Sequence, residues 1–96
     1  MLERTFIIKG RLGLHARAAA KLVRLTTSFQ SHLSLRRIDG EVTADAKSIL
    51  SVLMLAANQG TELHAVADGV DEEAAMNAIE ELFAAGFGEL ESESSI

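Results

Sequence analysis

The apolar residues of this chain follow two alternating kinds of pattern. Thr5-Phe6-Ile7-Ile8-Lys9 is short, apolar and β-branched, which predicts a strand. Gly10 to Gly13 punctuate a loop. Over Ala16–Phe29 the apolar residues Ala18, Leu22, Leu25 and Phe29 recur at helical spacing, while Arg17, Lys21 and Arg24 repeat on another face. His32-Leu33-Ser34-Leu35-Arg36 alternates as a half-buried strand, Asp39-Gly40 is a hairpin turn signal, and Glu41-Val42-Thr43-Ala44 is the expected return strand. Ser48–Ala57 reads as a short apolar helix, with Gly60 suited to a left-handed cap. Glu62–Ala67 predicts a fourth strand. Asp71-Glu72-Glu73 opens a last helix, placing acids where the helix dipole favours them. Ala75, Ile79, Leu82 and Phe83 form its buried stripe, and Gly86 and Gly88 stop it.

The order strand, helix, strand, strand, helix, strand, helix, with one hairpin and helical crossovers, predicts an α+β fold. The expected architecture is an open-faced two-layer sandwich: a four-stranded antiparallel sheet with three helices on one face. Residues 1–88 read as one domain, and 89–96 as an acidic, disordered tail.

Composition narrows the function. At 96 residues and 48% apolar, the chain is sized for one modest core. It has no cysteine, which excludes a disulfide scaffold and thiolate metal sites. No apolar run approaches the ~18 residues of a membrane span. The N-terminus enters the first strand without a signal-peptide pattern, so a soluble, cytoplasmic protein is expected. Aromatic content is 4%, with no Trp or Tyr, which argues against nucleic-acid binding by base stacking. The net charge of −5 hides an asymmetry. Residues 1–47 hold all nine bases and four acids, a net +5, whereas residues 48–96 hold ten acids and no base. A basic face for a negatively charged group or partner follows.

Gly13-Leu14-His15-Ala16-Arg17 stands at the loop-to-helix junction. A helix start leaves backbone N–H groups unpaired and carries partial positive charge, so it binds anions. An imidazole offers an uncharged nucleophilic nitrogen near neutral pH. The Arg17 guanidinium can pair with phosphate oxygens, and Lys21 and Arg24 extend the basic field along the helix. Ser48 is positioned as a helix N-cap, and a phosphate there would also meet a helix N-terminus. The helix that follows is apolar all round except for Ser51. A thin two-layer protein covers only one side of such a helix, so an exposed apolar patch is expected. Leu50 and Met54 should be exposed, while Ile49 and either Val52 or Leu53 face the core. His32 and His64 lie in strands without ligand spacing, so no metal site is expected.

Gly13-Leu14-His15-Ala16-Arg17-Ala18-Ala19-Ala20 resembles the phosphohistidine signature of HPr, the histidine-containing phosphocarrier family of the bacterial phosphotransferase system. Lys47-Ser48-Ile49-Leu50-Ser51-Val52-Leu53-Met54-Leu55 resembles the regulatory-serine region of the same family. The two motifs occur in the expected order and separation, and the resemblance covers residues 3–88. It implies that His15 accepts a phosphoryl group at Nδ1 from enzyme I and passes it to a IIA protein or domain, with Arg17 as the phosphate partner. It further implies a carrier that needs no cofactor and is not itself a turnover enzyme. Ser48 takes the place of the serine that an HPr kinase/phosphorylase modifies. Lys21, Arg24, Ile49, Leu50 and Met54 form the implied partner surface of a monomeric protein.

Two positions depart from the sugar-branch pattern: Ala18 stands where proline is common, and Leu12 where a small polar residue is usual. Arg11-Leu12-Gly13-Leu14-His15 and Ala84-Ala85-Gly86-Phe87-Gly88-Glu89 are closer to the nitrogen branch, NPr. A nitrogen-type or mannose-type IIA acceptor is therefore expected. Two rival readings are a regulatory module using Ser48 alone and an acyl-carrier-type protein. The presence of His15 and Arg17 opposes the first. The several strands, and Lys47 rather than an acid before Ser48, oppose the second.

Overall fold

Alternation within the strands sets the layering. The computed structural model describes residues 1–88. Its strands are β1 (Leu2–Ile7), β2 (His32–Arg37), β3 (Thr43–Asp45) and β4 (Glu62–Asp68). They form one antiparallel sheet in the order β1-β4-β2-β3. Phe6 pairs with Leu63, Leu35 with Ala65 and with Ala44, and Leu33 with Ala67. All seven of these side chains are buried, because a period of two puts them on one face. Glu3, Thr5, His32, Thr43 and Asp68 alternate onto the opposite, open face and stay exposed.

The covering layer consists of α1 (Ala16–Thr26), α2 (Ile49–Leu53) and α3 (Glu72–Ala84), followed by a 3₁₀ turn at Gly86–Gly88. Small residues on the sheet (Ala44, Ala65, Ala67) leave room for Leu22 of α1 and Met76, Ile79 and Phe83 of α3, all buried. Phe83 stacks on Phe6 with ring centroids 5.0 Å apart and meets Phe87 edge-on, also at 5.0 Å. Burying a side chain of this size is worth about 1.5–3 kcal/mol, so this aromatic column fastens the end of the described chain to the sheet.

The predicted fold class is the observed one; several boundaries are not. β1 spans 2–7 rather than 5–9. α1 ends at Thr26, and 27–29 continue only as turns, leaving Leu25 and Phe29 at the core's margin. Thr26, which the apolar stripe omits, is fully buried and donates to the Ala46 carbonyl at 2.7 Å. The return strand is only Thr43–Asp45. A wide loop precedes it, in which Arg37 and Asp39 form a two-point ion pair at 2.9 and 3.0 Å. Those hydrogen bonds hold the Asp39 carboxyl below the usual carboxylate range.

α2 is half the expected length. After Leu53 the chain turns, and Ala56 takes a left-handed φ of 49°, so Gly60 caps no helix. The Arg37 guanidinium binds the turn that follows, donating to the carbonyls of Leu55 and Ala56 at 3.3 and 3.1 Å. In α3, Leu82 is only partly buried, and Met76 takes the central place. Asp71 stands at the helix start but does not cap it. Its carboxylate accepts the Ser31 hydroxyl and the N–H groups of Gln30 and Ser31, at 2.8 and 2.9 Å for the two amides. These bonds, the Ser31 hydroxyl foremost, hold Asp71 below the ordinary carboxylate range. The expected acidic tail, 89–96, lies outside the described residues.

Candidate functional site

The loop between β1 and α1 is clamped to the segment that leaves α2. Leu14 is buried and donates its N–H to the Ala57 carbonyl at 2.9 Å. Gly13 closes a turn onto the Gly10 carbonyl at 3.1 Å and adopts φ +65°. A Cβ at Gly13 would sit 2.4 Å from the Ala57 oxygen and 2.9 Å from Asn58 Cα. Only glycine fits both the conformation and the close approach. The loop therefore delivers His15 to a fixed position.

His15 is the N-cap of α1, with extended backbone at φ −76° and ψ 179°. Its carbonyl accepts the Ala19 N–H at 2.8 Å, and its Nδ1 accepts the Arg17 N–H at 3.2 Å. Two chemical consequences follow. A nitrogen that accepts carries no proton, so the neutral ring has its hydrogen on Nε2 and a lone pair on Nδ1. A group bonded to Nδ1 is also aimed at the first turn of α1, where N–H groups and the dipole favour negative charge. That turn contains no acid, which would repel such a group.

The structure sorts the predicted basic row. Arg17 is exposed and lies in the first turn beside His15. Lys21, one turn on, directs its Nζ to the Phe87 carbonyl at 2.6 Å, fastening the 3₁₀ turn to α1. Arg24 is exposed in the last turn, about 13 Å along the axis from the cap. Of these three, Arg17 is the one whose backbone N–H meets the imidazole. Lys47, also among the early bases, caps the chain after α1 by donating to the Phe29 carbonyl at 2.8 Å.

Ser48 is the N-cap of α2, and its Oγ accepts the Ser51 N–H at 3.4 Å. It does not share a site with His15. The chain leaving α2 meets the His15 loop at Ala57, whereas the chain entering α2 meets the far end of α1 through Ala46 and Lys47. The two caps thus sit at opposite ends of the helix pair.

On α2, Leu50 and Met54 are exposed, at 71% and 78%, as expected. Val52 is the core residue of the helix. Ile49 corrects the expectation. It is 39% exposed at the first position of the helix, and Val52, one turn on, fills the core. Leu12 is exposed at 66% in the loop before His15. His32 lies exposed on the open sheet face, and His64 pairs with Glu3 at 2.7 Å. Among the described residues, no group of three or more His, Cys, Asp or Glu is placed to hold a metal ion. Among the same residues, no helix is long and apolar enough to cross a membrane.

The roles of Lys21, Lys47 and Arg37 as clamps on backbone carbonyls are invisible to local pattern, since each partner lies 18 to 66 residues away in sequence. Only the strictly placed Gly13 gave a local signal for the loop's rigidity.

Comparison with known proteins gives the class of this fold and site. The family model described as "PTS HPr component phosphorylation site" matches residues 2–85. Phosphocarrier protein HPr of Xylella fastidiosa is 49% identical over 89 residues, covering 93% of this chain and 98% of the relative. Phosphocarrier protein NPr of Proteus mirabilis is 46% identical over 86 residues, covering 90% and 94%. The crystal structure of HPr-C-His from Thermoanaerobacter tengcongensis superposes with a TM-score of 0.85 at 36% identity, covering 92% of this chain and 97% of that one. The chain belongs to the HPr family. It is a phosphocarrier of the phosphotransferase system, a protein that carries a phosphoryl group rather than a catalyst.

Proposed function

We propose that His15 is the phosphoryl-carrying residue, through Nδ1, and that Arg17 is the side chain that steadies the bound phosphoryl group. The observation that carries this reading is the aim of Nδ1: it accepts the Arg17 N–H at the N-terminus of α1. The donor is enzyme I. As the Nδ1 lone pair forms a new N–P bond, the bond from phosphorus to the donor's carrying group breaks, and that group leaves with the electron pair. The product ring on His15 keeps its Nε2 proton, so no general base is required. The phosphoryl oxygens come to rest against the first-turn N–H groups and within reach of the Arg17 guanidinium. Transfer onward runs the same step in reverse, to a IIA protein or domain. Leu12 and the segment Ala84-Ala85-Gly86-Phe87-Gly88 favour a nitrogen-type or mannose-type acceptor over a glucose-type one.

Lys21 and Arg24 contribute long-range positive potential towards acidic partners, and Ile49, Leu50 and Met54 supply the apolar contact. Ser48 is a second, regulatory phosphorylation site for an HPr kinase/phosphorylase. At the end of α2 remote from His15, its phosphate acts by placing charge beside the docking surface and not by touching the imidazole. The protein works as a cytoplasmic monomer without a cofactor.

Incubation with enzyme I and labelled phosphoenolpyruvate tests the site. His15→Ala is expected to take up no acid-labile phosphate while keeping its fold, since losing an N-cap costs about 1 kcal/mol. Acid-labile labelling of that variant would reassign the site.

A further inference from the structure

We infer that Leu12 is a recognition residue for the transfer reaction: an aliphatic anchor that a protein exchanging a phosphoryl group with His15 must seat. The inference rests on His15 being the transfer residue. Leu12 is 66% exposed, and the loop that presents it is not loose. On one side Gly13 bonds back to Gly10; on the other, Leu14 is buried and tied to Ala57. The close approach of Gly13 to the Ala57 carbonyl leaves the loop no freedom to fold Leu12 inward. The chain thus holds a bare leucine in water, three residues before the imidazole, on a rigid turn.

Geometry then brings it within the footprint of a complex centred on His15. Phosphoryl transfer between two side chains brings the partner's reacting group to within bonding distance of Nδ1. Even a small transient interface buries close to ~600 Å² on each partner, a disc of roughly 14 Å radius. Leu12 lies at most about 11 Å of chain from His15. Donor and acceptor approach the same nitrogen, so both cover Leu12.

The chemistry of the partner follows. A partner that sets a polar or charged group against Leu12 strips that group of water and returns no hydrogen bond. A partner with an aliphatic seat gains the burial. Leu12 therefore selects a protein whose phosphoryl-bearing residue has aliphatic side chains on one side and acids on the other, the acids facing Arg17. Exposed Leu50 and Met54 on α2, whose trailing chain clamps the same loop, continue this apolar contact away from the imidazole.

The test compares Leu12→Ser, Leu12→Met and Val70→Ser in transfer from enzyme I charged with labelled phosphoenolpyruvate. Val70 is an internal control. It is 86% exposed, and it follows β4 at the end opposite Glu62, where the His15 loop lies. Leu12→Ser is expected to raise KM for the carrier about tenfold at unchanged kcat, the size of effect for losing a buried aliphatic group. Leu12→Met should restore KM, Val70→Ser should change nothing, and all three should keep the parent melting temperature. An unchanged KM for Leu12→Ser, or a fall in kcat alone, would overturn the inference. His15→Ala in the same assay separates the two ideas: label on that variant sinks the assignment of His15, whatever Leu12 does.

Discussion

The starts of α1 and α2 are built alike and differ in what surrounds them. Each begins at a residue with extended backbone whose side chain accepts a first-turn N–H, from Arg17 onto His15 Nδ1 at 3.2 Å and from Ser51 onto Ser48 Oγ at 3.4 Å. α1 then runs eleven residues, and α2 only five. α1 also has an exposed arginine in its first turn, whereas the base beside Ser48, Lys47, has its amine on the Phe29 carbonyl at 2.8 Å. The same capping geometry thus stands beside an exposed arginine at one start and beside a lysine already engaged at the other, which supports the proposal that His15 carries the phosphoryl group while Ser48 regulates. Local backbone form is the same at both starts; what differs is the use made of the nearby cation.

The harshest way to break the comparison is to unseat the His15 loop. Gly13→Val should destabilise the fold by roughly 2–4 kcal/mol, because φ +65° and the approach to Ala57 both exclude a branched Cβ. Chemical denaturation measures this, and a loss under about 0.5 kcal/mol would show that the loop relaxes without the clamp. A comparable disturbance has no counterpart at Ser48, whose flanks contain no glycine.

Removing charge at the α1 start should have a smaller, mainly kinetic effect. Arg17→Glu should slow phosphorylation of His15 by roughly 10- to 100-fold, the value of a hydrogen bond between charged groups, while stability holds or rises slightly because the acid suits the helix start. Rapid-quench transfer from enzyme I reads it. An unchanged rate would mean that backbone N–H groups suffice. The mildest change is Ser48→Asp. An aspartate is itself a good N-cap, and negative charge at a helix start is worth roughly 0.3–1 kcal/mol, so the melting temperature should hold or rise slightly. Transfer to His15 should slow by no more than about fivefold, as expected for screened surface charges. A lowered melting temperature would make the hydroxyl itself the important group.

The two starts also show what the sequence disclosed. His15 at α1 was legible because everything that places it is within a few residues: the glycine, the cap and the arginine. The length of α2 was not, because the turn that follows it is bound from a distant part of the chain: Arg37 of β2 reaches the carbonyls of Leu55 and Ala56. Lys21 read as part of the basic field for the same reason: its acceptor, the Phe87 carbonyl, is brought to it only by the fold. The sheet was recovered because alternation of Leu33 and Leu35 on β2, and of Leu63, Ala65 and Ala67 on β4, is itself the physical cause of its two faces. Ile49 was misplaced because an all-apolar helix has no polar face to announce its orientation.

The central claim is that the phosphoryl group is held at Nδ1 of His15, against the start of α1. Phosphorylating ring-¹⁵N-labelled protein with enzyme I and phosphoenolpyruvate, and then recording the phosphorus–nitrogen coupling, tests it most directly. The account predicts a single coupled nitrogen, Nδ1 of His15. Coupling to Nε2, or to a ring nitrogen of His32 or His64, would contradict it.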